Sequence, residues 1–76
     1  MKLKQIGNKK SLTEQAYEVL KEAIISGEFQ QGQILTEEQL AKELAISRTP
    51  VRAAVKQLEF ENLVEVNPSR NIIVAT

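Results

Sequence analysis

Apolar residues recur at helical spacing along the first third of the chain: Leu12, Ala16, Val19, Leu20, Ala23 and Ile24 share one face of a helix. Ser11 precedes them and Glu14 follows three positions later, a capping box. Gly27 stands where a left-handed residue ends a helix. The pattern predicts a first helix over about residues 12–26. The segment "EFQQGQIL" then breaks the period. Phe29 is expected to fold back on the core, Gly32 to make a turn, and Ile34 and Leu35 to form a very short strand. Thr36 and Gln39 form a second capping box ahead of Leu40, Ala41 and Leu44, which predicts a short second helix over about residues 37–45. Only Ile46 separates it from the next start at Ser47, expected to cap a third helix running to about Glu61. Pro50 is tolerable there because first-turn N–H groups lack intrahelical partners. Asn62 suits a left-handed position after that helix. The tail switches to β-rich runs at 63–66 and 72–75 around "NPSRN", a string of turn formers, which predicts a β-hairpin.

The expected architecture is mainly α with a small β-hairpin: three helices plus a wing. Two helices joined by a very short turn, the second opening with polar and basic residues, fit a helix-turn-helix with a core of about residues 37–56. The hairpin, about residues 63–75, would be a wing beside it. Residues 1–10, with Lys2, Lys4, Lys9 and Lys10, read as a basic flexible arm ahead of a domain over 11–76.

Composition narrows the chemistry. Seventy-six residues form one small domain with room for a modest core and no deep active site. The chain has no Cys, His or Asp. It therefore lacks thiolate metal sites, the commonest general base and an Asp-rich cation loop, so neither an enzyme, a metal site nor a cofactor is expected. No apolar run is long enough to span a membrane, and no signal peptide is evident, so the expected setting is the cytoplasm. Lone Tyr17 reads as a packing residue with a wet hydroxyl. The formal net charge is zero, with ten basic and ten acidic residues, so the question becomes where the charges sit.

On the third helix, at about 100° per residue, Val51, Ala54, Val55 and Leu58 fall on one side. Arg48, Thr49, Arg52, Ala53 and Lys56 face away from it, a basic face without acids in its first two turns. A helix fits the major groove of DNA, and an Arg fork pairs with guanine O6 and N7. The helix N-terminus favours a phosphate. Arg70 at the hairpin tip could reach a phosphate or a minor groove. A second reading stays open: a winged-helix protein-interaction module without DNA binding, motivated by Phe60, which lies opposite the core stripe. Packing of Phe60 under the wing or against a further domain is the expected outcome for that residue.

The block "SRTPVRAAVKQLEFENLVEV" resembles the recognition-helix region of GntR-family bacterial transcription regulators, whose usual pattern is Ser-Arg-Thr-Pro-Val-Arg-Glu-Ala-Leu followed by Leu-Glu-x-x-Gly-Leu-Val. The upstream "AIISGEFQQGQILTEEQLAKELAIS" is similar in order and spacing, and the likeness runs from about Leu12 to Val74. The Thr-Pro pair and "LTEEQLA" look most like the FadR-type (FCD) branch. The resemblance implies a winged helix-turn-helix that binds double-stranded, palindromic operator DNA as a homodimer, in a regulator that is typically a repressor. It implies base and phosphate contacts for Arg48, Thr49 and Arg52, with Ser47 and Pro50 matching the motif. It also implies a backbone approach at Thr36 and Gln39, and a wing tip at Arg70 and Asn71. Asn71 stands where the family usually has Gly, as does Asn62, and Ala53 replaces the common Glu. The family's C-terminal effector domain, which senses a small molecule and often dimerises, is not in this sequence; the expectation is a piece of a longer regulator.

Overall fold

The computed structural model describes Leu3 and residues 11–76. Three helices, α1 (Leu12–Ile25), α2 (Glu37–Leu44) and α3 (Arg48–Phe60), carry the core. Strand β1 (Ile34–Leu35) lies between α1 and α2, and β2 (Val64–Val66) and β3 (Ile72–Val74) close the chain. The basic arm expected at the N-terminus lies outside the described residues, apart from Leu3, which packs half-buried against the core.

The apolar stripes meet as the periodicity requires. Ala16, Leu20, Ala23 and Ile24 of α1, Leu40, Ala41 and Leu44 of α2, and Val51, Ala54, Val55 and Leu58 of α3 are all buried in one cluster. Phe29 folds back into it, and Leu35, Val64, Ile72 and Val74 close it from the sheet. The sheet is larger than the expected hairpin. β3 lies in the middle, antiparallel to both neighbours, with Val64 opposite Val74 on one side and Ile34 opposite Ile73 on the other. Ile72 and Val74 point inward and Ile73 between them does not, the two-residue period of a strand with one face on the core. The Gly32 N–H donates to the Val74 carbonyl at 2.8 Å and the Val74 N–H to the Gln33 carbonyl at 3.0 Å, so the connector after α1 is bound to the wing.

Helix ends follow their local chemistry. Ser11 Oγ accepts from the Glu14 N–H at 3.0 Å; the Glu14 carboxylate accepts the Ser11 hydroxyl at 3.2 Å, so only half of the expected reciprocal box forms. At α2 the box is complete: Thr36 Oγ1 accepts from the Gln39 N–H and Gln39 Oε1 from the Thr36 N–H. Ser47 occupies the corresponding place before α3, but its side chain makes no capping hydrogen bond. The cause is in the sequence: the residue three places on, whose N–H would donate to the Ser47 hydroxyl, is Pro50, which has no N–H.

Two helices end in the same way. The Ile46 N–H reaches back to Ala41 O and Ala45 N–H to Lys42 O, with Ala45 left-handed at φ 62. The Leu63 N–H reaches Leu58 O and Asn62 N–H reaches Glu59 O, with Asn62 left-handed at φ 64. Both are Schellman motifs. The first supplies the tight turn between α2 and α3, using an alanine where glycine would be unstrained. The left-handed residue of the wing turn is Arg70 (φ 69), one place before Asn71, where the family usually has Gly. Arg70 N–H bonds Asn67 O, and Asn67 Oδ1 accepts from the Asn71 N–H at 2.9 Å. The tip is thus a turn over Asn67–Arg70 whose last residue bends left, and Asn71 leads into β3.

Tyr17 is better tied than its expected wet hydroxyl. That hydroxyl donates to Glu61 Oε1 at 2.6 Å and accepts from Lys21 Nζ at 3.0 Å, while Gln57 Nε2 donates to Glu61 Oε2 at 3.1 Å. These bonds join α1 to the end of α3. Phe60 beside them is 83% exposed and therefore does not pack under the wing.

The left-handed positions predict a contrast. A left-handed Cβ costs about 1–2 kcal/mol, against roughly 0.5–1 kcal/mol for the extra freedom of glycine in the unfolded chain. Ala45→Gly and Arg70→Gly should each stabilise the fold by about 0.5–1 kcal/mol in urea unfolding, whereas Asn71→Gly should not stabilise it. The Tyr17 cluster predicts a pH dependence. The Tyr17 hydroxyl first, then the Gln57 amide, hold the Glu61 carboxyl below its ordinary value. Its contribution is therefore present above the unfolded value and fades as pH falls through the lower folded value. The stability gap between the wild type and Tyr17→Phe should stay level from neutral pH down to about pH 5 and narrow below it, as urea midpoints measured across that range will report.

Candidate nucleic-acid interface

Burial of the Val51, Ala54, Val55 and Leu58 stripe turns the opposite side of α3 outward. Arg48, Thr49, Arg52, Ala53 and Lys56 are all exposed, Ser47 is exposed ahead of them, and Pro50 is half-buried. The predicted face exists as a face. Its N-terminal end is uncapped: α3 has no acid in its first turn, and the Ser47 hydroxyl is not engaged by the helix. The Arg48 and Thr49 N–H groups and the Ser47 hydroxyl therefore remain for an anionic partner, at the positive end of the helix dipole.

The other predicted residues fall on the rim of this face. Thr36 and Gln39 open α2, where Thr36 Oγ1 and Gln39 Oε1 are engaged in the capping box and the exposed Gln39 Nε2 amide is left to donate outward. Arg70 is exposed at the wing tip, and Asn71 is half-buried with its N–H bound to Asn67. Arg70 and the α3 face are brought together: Arg52, Val55, Lys56, Glu59, Val66 and Arg70 line one open groove of about 400 Å³ between α3 and the wing. Three cations, Arg52, Lys56 and Arg70, thus border one groove, with Glu59 the acid on its lining. Asn71 is not among the residues that line it.

One contact was invisible to the reading of α3 alone. The face carries no acid of its own near the N-terminus, but α2 brings one to it. Arg52 Nε donates to Glu37 Oε1 and Oε2 at 3.2 Å each, and Nη2 donates to Oε1 at 3.0 Å. The Glu37 side chain is 13% exposed and that of Arg52 is 56%. The hydrogen bonds to Glu37, then its charge, raise the Arg52 pKa further above its ordinary value, so the guanidinium stays charged. The sequence signal for this pair was present: Glu37 is the first residue of α2, and the short turn through Ala45 folds the start of α2 beside the second turn of α3.

Comparison with known proteins fits this geometry. The profile of "Bacterial regulatory proteins, gntR family" matches residues 12–74. An uncharacterized HTH-type transcriptional regulator, YdhC of Bacillus subtilis (strain 168), is 40% identical over 53 residues, which are 70% of this chain and 24% of that protein. The gluconate operon transcriptional repressor of the same organism is 37% identical over 59 residues, 78% of this chain and 24% of the repressor. The chain therefore spans about a quarter of the length of these relatives. Among solved structures, a GntR-family transcriptional regulator from Pseudomonas syringae pv. tomato str. DC3000 superposes with a TM-score of 0.82 at 32% identity, over 95% of this chain and 30% of that one. With the three helices, the wing and the exposed basic face of α3 in place, the chain belongs to the gntR family of bacterial regulatory proteins.

Proposed function

We propose that this domain binds double-stranded DNA sequence-specifically, with α3 in the major groove and the wing at the backbone or minor groove. The observation that carries this is the exposed side of α3. Arg48, Thr49, Arg52 and Lys56 project from a helix whose uncapped N-terminus offers N–H groups to a phosphate, with Ala53 small enough for close approach. Arg70 extends the basic strip to the wing. The protein-interaction alternative draws no support from the relatives described above, which are named transcriptional regulators.

The wider reading follows the family. The domain serves a transcription regulator of the cytoplasm, in the role of a repressor, as the gluconate operon relative is named. No helix among the described residues is long and apolar enough to cross a membrane. The Thr49-Pro50 pair and "LTEEQLA" support the FadR-type branch. Homodimers on palindromic operators would join two weak half-sites into a tight one. The length of the relatives supports a C-terminal domain that dimerises and binds a small-molecule effector; the DNA-binding domain itself requires no cofactor. The site residues in this reading are Thr36 and Gln39 toward the backbone, Ser47 to Pro50, Arg52 and Lys56 on α3, and Arg70 with Asn71 at the wing.

Selection of bound duplexes from a random pool tests the proposal, followed by titration across salt. A recurring sequence should emerge. Lys56→Ala should then weaken binding to selected and random duplexes alike and flatten the slope of log K against log salt by about one. Absence of any enriched sequence, with the slope unchanged in the variant, would overturn the assignment.

A further inference from the structure

Arg52 differs from its neighbours on the face. Among the described residues, it is the α3 cation tied to a carboxylate, and the tie has a defined geometry. Glu37 grips the side edge of the guanidinium, through Nε–H and one Nη2–H. The fork carries five N–H donors in a fixed plane, so the second Nη2–H and one Nη1–H remain as the end edge, with the other Nη1–H pointing back toward the side-chain stem. That end edge is itself a two-pronged donor, of the spacing that matches guanine O6 and N7.

The support behind the grip is rigid. Glu37 is the first residue of α2, whose first turn is locked by the reciprocal Thr36–Gln39 box. The carboxylate is mostly covered while the guanidinium is mostly exposed, so the anchored end is inside and the free end outside. Charge adds a preference. A phosphate approaching Arg52 would meet the Glu37 carboxylate within a few ångströms and be repelled. A base edge is neutral and meets no such penalty.

We propose that Glu37 is a specificity-determining positioning residue. It holds the Arg52 fork with its end edge outward, making this arginine a reader of guanine rather than a general phosphate contact. This rests on the DNA-binding reading above and adds a residue on α2 to the determinants of sequence preference.

The test compares the wild type, Glu37→Gln, Arg52→Ala and the double variant by fluorescence anisotropy. The probes are a selected duplex and its single base-pair substitutions. Arg52→Ala is expected to lose discrimination, by tenfold or more, at one base pair. Glu37→Gln is expected to lose it at the same base pair, while binding random duplex as tightly as the wild type or more tightly, since a negative charge has gone. In the Arg52→Ala background, Glu37→Gln should change no discrimination. Glu38→Gln, the same charge change at an exposed neighbour, should leave it intact. Arg52→Lys, which keeps the charge but lacks the fork, should lose the same base preference with the salt slope unchanged. Thermal melts confirm that each variant is folded.

Retained discrimination in Glu37→Gln overturns the proposal, and tighter binding to every duplex with unchanged preference would show that Glu37 competes with DNA for Arg52 instead. Loss of preference at many base pairs, in both backgrounds, would mean a general structural role and would equally overturn it. Failure of the wild type to prefer any duplex strikes the DNA-binding reading first and is distinguishable from these results.

Discussion

Packing of the α3 stripe against α1 fixes the rotation of α3 about its own axis. Val51, Ala54, Val55 and Leu58 are buried, and the α1–α3 contact is the most extensive between helices. Ala16 on α1 and Ala54 on α3 have no exposed surface and lie in the same core. A helix turned by one residue, about 100°, would carry Arg48, Arg52 and Lys56 off the outer face. The buried stripe therefore sets the outward placement of Arg48, Arg52 and Lys56 more than any contact those side chains make themselves. The Tyr17–Glu61–Lys21 cluster adds a polar fastening between the middle of α1 and the end of α3.

The remaining elements set what surrounds that face. The turn through left-handed Ala45 brings α2 close enough for Glu37 to reach Arg52. β1 pairs with β3 and holds the connector, and β3 in turn holds β2, so the wing is anchored to the core by Ile72 and Val74 rather than hanging from α3. Arg70 thereby reaches the groove that Arg52 and Lys56 line.

Periodicity and capping chemistry made the helices, their inward faces and the outward face of α3 legible before the structure. Those signals are local, and burial enforces them. The contacts that escaped are those between segments. Glu37 lies fifteen positions from Arg52, and an angular reading of one helix has no means of seeing an acid delivered by another. The short strand at Ile34 and Leu35 was expected, but its pairing with β3 was not, because two residues carry too little pattern to state a partner. The wing turn lies within the expected "NPSRN", but its backbone detail was not legible: the Asn67 side chain binds the Asn71 N–H, and the left-handed residue is Arg70. The expected Ser47 cap failed because Pro50 stands where its partner N–H would be.

The central claim is that the burial of one stripe of α3 aims the opposite side at DNA. Amide chemical shifts followed while a selected duplex is added test it directly. The largest changes are expected at Thr36–Gln39, Ser47–Lys56 and Asn67–Asn71, with Tyr17, Lys21, Ile25 and Phe60 little affected. Changes centred on the Tyr17, Ile25 and Phe60 side, with the start of α3 unmoved, would contradict it.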